Sequence, residues 1–338
     1  MKIGKSLVLQ IVVSVALLGA VVWFAGPSQL ESALLSVRLE WLALFVISIF
    51  CLHLLMAKRI TMILKYLGEK PDFVQVLLCH FSGMLASDFT PARSGYFATA
   101  LALKANNGTP IGKAFVSILG PQLFDFALKA VVGALAVLLL FSAVAQKSQQ
   151  ATFVIELVAC AMLAMIAIGF AIMFSKRVLR LFAFAQKLPF GNLFYTLFEK
   201  LQENAHAIKG MLGWILAFLA TTFLIKGLGW WALAQSLGIN AQLPLGAFGF
   251  FLLLNPLISM LEFVPLPTLA GMGLSEAGII GVLGLFGVNP AVAATFALLN
   301  RATTIGIDTV FGWKYASLTL GNHKKLLDIE NEETGKSA

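Results

Sequence analysis

Charged residues are scarce in this chain. Only 12% of its 338 residues are Asp, Glu, Lys or Arg, whereas 59% are hydrophobic, and the mean hydropathy is +0.90. Soluble domains carry about one quarter charged residues, so this composition excludes a soluble globular fold. The apolar runs are long and do not alternate, unlike barrel strands, which alternate over about ten residues. The composition therefore predicts an all-α polytopic membrane protein, with residues 1–338 forming a single integral membrane domain.

Residues and motifs for metal, redox or nucleotide chemistry are also few. Cys51, Cys79 and Cys160 lie in apolar stretches without a CxxC spacing, which indicates neither a disulfide framework nor a metal site. His53 and His80 lack metal-ligand spacing and are interpreted as core residues. No Walker-type loop is present, so we expect any transport to be independent of ATP bound by this chain. We expect no metal and no cofactor.

The net charge of +8 reflects Lys and Arg in short loops rather than a nucleic-acid surface. The start of the chain and the segments 58–70 and 175–209 are rich in Lys and Arg. Because cytoplasmic loops carry the excess of basic residues, these segments are predicted to lie inside, with both termini cytoplasmic. We therefore expect a multi-pass protein of the cell membrane, with no nucleic acid as a partner and with homo-oligomerisation left open.

Long apolar segments of about 20 residues are typical of membrane spans. Two further apolar stretches, about 72–104 and 245–286, are interrupted at their centres by Pro and Gly. Each is interpreted as two half-depth helices that enter and leave the membrane on the same side. The predicted full spans are 6–25, 41–63, 114–142, 151–174, 210–236 and 290–318.

The spans and breaks form two matching halves, about 41–142 and 210–318. With six full spans, the charge pattern requires the first half to run opposite to the second. The sequence thus predicts an inverted-topology repeat with two re-entrant broken-helix pairs, the loop near Gly68 lying inside and that near Asn240 outside. Segment 175–209 is predicted to form helices on the inner membrane surface, and 319–338 a polar cytoplasmic tail.

Short motifs at the breaks carry a resemblance to a known family. The first break contains Pro91-Ala92-Arg93-Ser94-Gly95, a P-x-R-x-G pattern. The second runs through Pro267–Gly271 to Glu276, and is followed by a Gly-Leu-x-Gly-Val-x-Pro turn at Gly284–Pro290 and then by Arg301. Over about residues 35–318 the chain resembles the transmembrane domain of lysylphosphatidylglycerol synthases, a flippase-like family with stand-alone members.

The resemblance implies lipid movement. The aminoacylating soluble domain of the synthases is missing from this sequence, so we expect the chain to move a lipid rather than to modify one. The chain departs from the family pattern at Tyr96, where an acidic residue is common. It also has Pro121-Gln122 where a Glu-Arg pair usually precedes the acid that is Asp125 here.

Ionisable residues at membrane depth are costly, so each is a candidate for the site. Arg93 is predicted to grip a phosphate, to pair with Asp88, or both. Glu262 and Glu276 flank the second break and could balance Arg93, carry a coupling proton or bind a substrate amine. Glu276 near a helix start fits a helix cap equally well. Lys226 is expected to meet an acid on another helix or the substrate phosphate. The complete set of predicted substrate-binding residues is Asp88, Arg93, Asp125, Lys129, Lys226, Glu262, Glu276, Arg301 and Asp308.

Asp125 and Lys129 stand four residues apart and are predicted to pair along one helix face. Arg301 and Asp308 are two turns apart, so each is expected to contact other helices or the cavity.

Three functions remain open from the sequence. The favoured one is translocation of an anionic lipid, either a phospholipid or a polyprenyl phosphate, with membrane lipids as partners and no enzyme activity. A small-solute or ion transporter is the second, because inverted repeats serve such transport widely. A membrane-embedded lipid-modifying enzyme is the third, although the acids are scattered and no His-acid-Ser spacing stands out.

Overall fold

The computed structural model describes residues 5–145, 205–239, 243–262 and 268–333, together with the single positions 160 and 164. Within these residues every regular element is helical. The predicted span 151–174, apart from positions 160 and 164, and the predicted surface helices up to residue 204 lie outside the described residues. A short helix, Ala205–Gly210, leads from there into the second half.

The chain begins with two helices joined at a sharp bend. Helix α1 spans Lys5–Ala25 and α2 spans Pro27–Leu35, and together they form an apolar pair bent by 81°. Gly26 adopts φ +80°, which favours glycine, and Pro27 occupies the first turn of α2, where proline is well tolerated. Helix α1 agrees with the predicted segment 6–25, and the Gly-Pro pair that follows it starts a second helix that was not predicted.

Three helices are long and apolar enough to cross a bilayer unaided. They are α3 (Leu39–Tyr66), the segment Ile111–Leu140 of α6 (Ile111–Ala145), and α8 (Leu212–Ser236). The short helix Ala205–Gly210 before α8 is α7. They confirm the predicted spans 41–63, 114–142 and 210–236. Together with the bent α1–α2 pair they establish a multi-pass helical membrane protein.

The last predicted span differs from the other three. Residues 290–318 fall inside α11, which runs from Pro290 to Glu333 and so continues through most of the predicted polar tail. Its stretch around Arg301 and Asp308 is more polar than the three apolar spans, and α11 is not among the helices that qualify by length and hydropathy. Five of the six predicted spans fall in the part of the chain that the structure describes, and that part provides three or four apolar spans by length and hydropathy.

Each broken stretch folds as two short helices that pack on each other. In the first, α4 (Phe73–Asp88) leads through a 3-10 helix (Pro91–Phe97) into α5 (Ala98–Asn107). In the second, α9 (Gly246–Leu261) is followed by α10 (Leu274–Leu285). Gly95 lies so close to α4 that a Cβ atom would come within 2.3 Å of the Ala86 backbone. The helix–break–helix prediction is confirmed, while the re-entrant path in the membrane stays a prediction.

The two halves pack in matching ways. Helix α3 packs on α8, α4 on α11 and α9 on α6. Within the halves, α5 packs on α6 and α10 packs on α11. Exchanging α3, α4, α5 and α6 for α8, α9, α10 and α11 therefore reproduces these contacts. This correspondence supports the predicted repeat, whose inverted orientation stays a prediction.

A glycine pair on α11 allows a matched test of the α4–α11 contact. At Gly312 a Cβ atom would lie 2.5 Å from the Phe81 carbonyl oxygen, whereas at Gly306 it would meet nothing within 4 Å. We expect Gly312→Ala to lower the free energy of unfolding by about 1–3 kcal/mol through overpacking. Gly306→Ala should leave it unchanged or raise it by up to about 1 kcal/mol through helix propensity.

The measurement is an SDS-induced unfolding titration of both variants in detergent micelles. Equal stability of the two variants would show that α11 does not approach α4 this closely.

Candidate functional site

The two breaks touch each other directly. The Ala270 N–H of the second break donates a hydrogen bond to the Thr90 carbonyl of the first, at 3.1 Å. Arg93 and Ala270 both adopt left-handed backbone angles, φ +53° and +46°, which are uncommon for residues other than glycine. Such strained positions persist only when the surroundings hold them, and they concentrate at functional sites. The contact between the breaks is therefore a built feature of the fold.

Arg93 joins the two halves through its guanidinium. One nitrogen lies 2.8 Å from Asp88 on α4 and another lies 2.8 Å from Glu262 at the end of α9. The turn that presents Arg93 is fixed by Thr90, whose hydroxyl accepts a hydrogen bond from the Gly95 N–H at 2.6 Å. The predicted Arg93–Asp88 pair is confirmed, and Glu262 is its second partner.

Arg301 binds the second break from the side of α11. Its Nε donates to Glu276 at 2.8 Å, and its Nη2 donates to the Ser275 hydroxyl at 2.6 Å and lies 3.5 Å from Glu262. Glu276 also accepts the Gly273 N–H at 2.6 Å, which caps α10. Glu276 is therefore a helix cap, as predicted, and its charge partner is Arg301 rather than Arg93. Glu262 links the two guanidiniums.

Asp308 completes a group that we call the break cluster: Asp88, Arg93, Glu262, Glu276, Arg301 and Asp308. Asp308 is fully buried, and it lies next to Asp88, within reach of a hydrogen bond if one carboxyl is protonated. His53 Nε2 lies 3.4 Å from Asp308, and His53 Nδ1 lies 3.3 Å from His80 Nε2. The two histidines are buried, as the interpretation as core residues requires, and they also extend the cluster.

A second group of charges lies between α6, α8 and α9. We call it the lysine pocket, formed by Asp125, Lys129, Lys226 and Asn255. Lys129 pairs with Asp125 at 2.7 Å, as their spacing predicted. The enclosed volume of this pocket is small, about 10 Å³, and the pocket opens to the surface. Pro256 also lines it, inside α9, where proline removes a helical hydrogen bond and opens the backbone.

Lys226 forms no hydrogen bond or ion pair with the described part of the chain. The sequence offered Asp125, Glu262 or Asp308 as its partner. In the structure Asp125 binds Lys129, Glu262 binds the two arginines, and Asp308 faces His53 and Asp88. Lys226 therefore lines a pocket with its ammonium available for an anion, and the carboxylates expected to neutralise it are engaged elsewhere.

The nine predicted site residues thus separate into two neighbouring groups, six in the break cluster and three in the lysine pocket. Sequence reasoning missed His53, His80, Ser275 and Asn255. For Asn255 a signal existed, because an Asn-Pro pair within an apolar helix is unusual for a plain span. For Ser275 and the histidines no local signal existed, since their partners lie on other helices or depend on the turn before α10.

A family model described as the lysylphosphatidylglycerol synthase TM region matches residues 7–312. The match covers both breaks and the two groups of charges, and it extends the resemblance to the bent α1–α2 pair. No curated protein matches the chain.

Proposed function

Because the chain belongs to the lysylphosphatidylglycerol synthase transmembrane-region family, we propose that it moves an anionic lipid across the membrane, with the head-group phosphate held in the lysine pocket. Membership establishes a membrane protein involved in lipid handling. The finer assignment is supported by Lys226, an intramembrane cation without a partner in the described part of the chain. Such a residue is costly in the membrane and marks a substrate path.

The charge of the pocket favours an anion. Lys129 and Lys226 supply two positive charges, and Asp125 supplies one negative charge. The pocket therefore carries a net charge of about +1 before the substrate binds. A phosphodiester has one negative charge and several acceptor oxygens, so it would neutralise Lys226 while Asp125 keeps Lys129 in place. The Asn255 side chain offers a neutral donor beside the same space.

The openness of the pocket favours a lipid over an enclosed solute. Its enclosed volume is about 10 Å³, room for about one water molecule, whereas sites that enclose drug-sized ligands measure about 300–1,000 Å³. An anion that contacts Lys226 would therefore sit at the mouth of the pocket, and the rest of its molecule would stay outside, as the acyl or prenyl chains of a lipid would in the bilayer.

The break cluster serves a different purpose in this proposal. Arg93 and Arg301 are both engaged with carboxylates, so their first role is to hold the two unwound breaks together rather than to grip the substrate. Unwound backbone in a membrane survives only where protein or water satisfies it. A change in these ion pairs would let the two halves move relative to each other, which alternating access requires.

The remaining features of the proposal concern placement. We propose that both termini lie in the cytoplasm and that the protein resides in the cell membrane, as the excess of Lys and Arg in the predicted inner loops supports. The chain is proposed to act as a transporter without covalent chemistry, alone or as a homo-oligomer.

The test is lipid movement in proteoliposomes that contain purified protein. The probes are fluorescent phosphatidylglycerol and a fluorescent polyprenyl phosphate, with quenching of the outer leaflet as the readout. We expect protein-dependent movement of at least one probe. Lys226→Gln should slow it by about 10- to 100-fold at limiting lipid, which corresponds to the loss of a charge-assisted hydrogen bond worth about 1.5–3 kcal/mol.

Lys104 provides the matched control, because it is an exposed lysine on α5 outside both groups of charges. Lys104→Gln should move lipid at the wild-type rate. Wild-type movement by Lys226→Gln would remove the lysine pocket from the mechanism. Protein that is folded but moves neither lipid would overturn the proposal and direct attention to solute transport.

A further inference from the structure

The break cluster contains more acid than base. Its carboxylates are Asp88, Glu262, Glu276 and Asp308, and its guanidiniums are Arg93 and Arg301. If all four carboxyls were ionised, two negative charges would remain without a guanidinium. The ion pairs show where the imbalance falls, because Glu262 and Glu276 are held by arginines while Asp308 has no guanidinium contact.

Asp88 and Asp308 are the members of the break cluster whose carboxyl oxygens lack hydrogen-bond partners among the described residues. Both side chains are fully buried. Neither oxygen of Asp308 accepts a hydrogen bond within the described residues, and one oxygen of Asp88 is likewise unpartnered. The two carboxyls lie close enough to form a hydrogen bond when one of them is protonated. Two buried carboxyl groups within hydrogen-bond reach of each other do not both ionise, and they share a proton instead.

Among the described residues no Lys or Arg side chain forms an ion pair with Asp308, so its charge is better neutralised by a proton than by a salt bridge. Facing it are Asp88 of α4, His53 of α3 and, farther off, Arg93, whose guanidinium contacts Asp88 and Glu262 instead. Helix α10 brings Glu276, which binds Arg301. The other charged side chains described on helices packed against α11 form no ion pair with Asp308. They are Glu31 of α2, Glu40, Lys58, Arg59 and Lys65 of α3, Lys104 of α5 and Lys226 of α8.

A route for proton exchange leads away from this pair. His53 Nε2 lies 3.4 Å from Asp308, and His53 Nδ1 lies 3.3 Å from His80. His80 is fully buried, and its other ring nitrogen has no partner in the described part of the chain. A carboxyl followed by two imidazoles in contact is a chain of groups that can each accept and release a proton.

We propose that Asp88 and Asp308 form a proton-binding site, with His53 and His80 as its exchange route, and that lipid movement is coupled to the binding and release of that proton. The site stands on the geometry of the break cluster, and its coupling rests on the proposed function. The physical link is Arg93, which contacts Asp88 and also holds the two breaks together. Protonation of Asp88 weakens its pair with Arg93, so the guanidinium that binds Glu262 of the other half is no longer fixed from both sides and can change position.

The first arm of the test examines the site without any lipid movement. Infrared difference spectroscopy on purified protein should show a protonated carboxylic acid near neutral pH. Asp308→Asn, which is nearly isosteric, should remove that signal. If this variant does not fold, Asp88→Asn removes the other member of the pair and carries the same measurement. Absence of the signal from wild-type protein, or its persistence in the variant, would overturn the site.

The second arm measures coupling in proteoliposomes with labelled phosphatidylglycerol. One proton per lipid and a pH difference of about one unit can support an about tenfold ratio of labelled lipid between the leaflets. We expect wild-type protein to approach this ratio and Asp308→Asn to give the same distribution with and without the gradient. Glu69→Gln, which alters a partly exposed carboxyl paired with Lys113, should keep the full response.

The outcomes separate the two proposals. An unchanged gradient response in Asp308→Asn would overturn the coupling. Replacement of sodium by choline should change nothing, and a sodium requirement would overturn the proton as the coupling ion. Failure of wild-type protein to move lipid under any gradient would overturn the proposed function and the coupling, while the infrared arm still decides the proton site.

Discussion

Replacing Arg93 by alanine is expected to lower the free energy of unfolding by about 3–5 kcal/mol and to stop lipid movement. The reason is the environment that the guanidinium leaves behind. Asp88 is fully buried and Glu262 is only 13% exposed, so neither carboxylate can recover its lost partner from bulk water. Replacing both members of a buried ion pair by apolar residues often leaves stability unchanged. Removing only one member is strongly destabilising, because the other charge stays buried without a partner.

The measurement is SDS-induced unfolding in micelles, combined with the proteoliposome assay. Lys113→Ala is the control, since Lys113 makes an ion pair of similar length with Glu69 but with side chains 37% and 24% exposed. Exposed pairs contribute about 0–1 kcal/mol, so that variant should be nearly as stable as wild type.

A double variant identifies the mechanism of the loss. Arg93→Ala combined with Glu262→Gln removes one of the two orphaned charges, so its destabilisation should be smaller than the sum of the single effects. Additive effects would mean that Arg93 and Glu262 do not contact each other. Unchanged stability of Arg93→Ala itself would contradict the joining of the halves through this residue.

Much of this site could be predicted from the sequence because charges are conspicuous in apolar segments. Arg93 and Glu262 were identifiable as candidates from their positions at the breaks, and the pair Asp125–Lys129 from its helical spacing. Which carboxylate meets which cation could not be predicted. Arg93 and Glu262 are 169 residues apart, and their contact depends on how the two breaks meet.

In the fold as well, features set by the local sequence could be predicted, whereas contacts between distant helices could not. The three apolar spans and the two interrupted helix pairs followed from hydropathy and from Pro and Gly. The bend at Gly26 was missed because the apolar run was taken as a single span. The contact of His53 with His80 and Asp308 was missed because it joins three helices and depends on how they pack.

Replacing Glu276 by alanine is the second change for which we expect a large loss, about 3–5 kcal/mol for the ion pair and about 1 kcal/mol for the helix cap. One oxygen of Glu276 binds Arg301 at 2.8 Å, and the other accepts the Gly273 N–H at 2.6 Å. Alanine removes both contacts. Arg301 would retain the longer contact with Glu262, at 3.5 Å, and the Ser275 hydroxyl, so the loss should lie at the lower end of that range.

Glu276→Gln separates the two roles, because its amide oxygen can still cap α10 while its charge is gone. In SDS-induced unfolding we expect it to recover about 1 kcal/mol relative to Glu276→Ala and to remain well below wild type. Equal stability of the two variants would show that the cap contributes nothing, and wild-type stability of Glu276→Gln would show that the charge contributes nothing.

Because Arg301 also contacts Glu262, the loss of the Glu276 charge should make the stability of the fold depend more strongly on Glu262. Glu262→Gln should therefore destabilise the Glu276→Gln background more than it destabilises wild type.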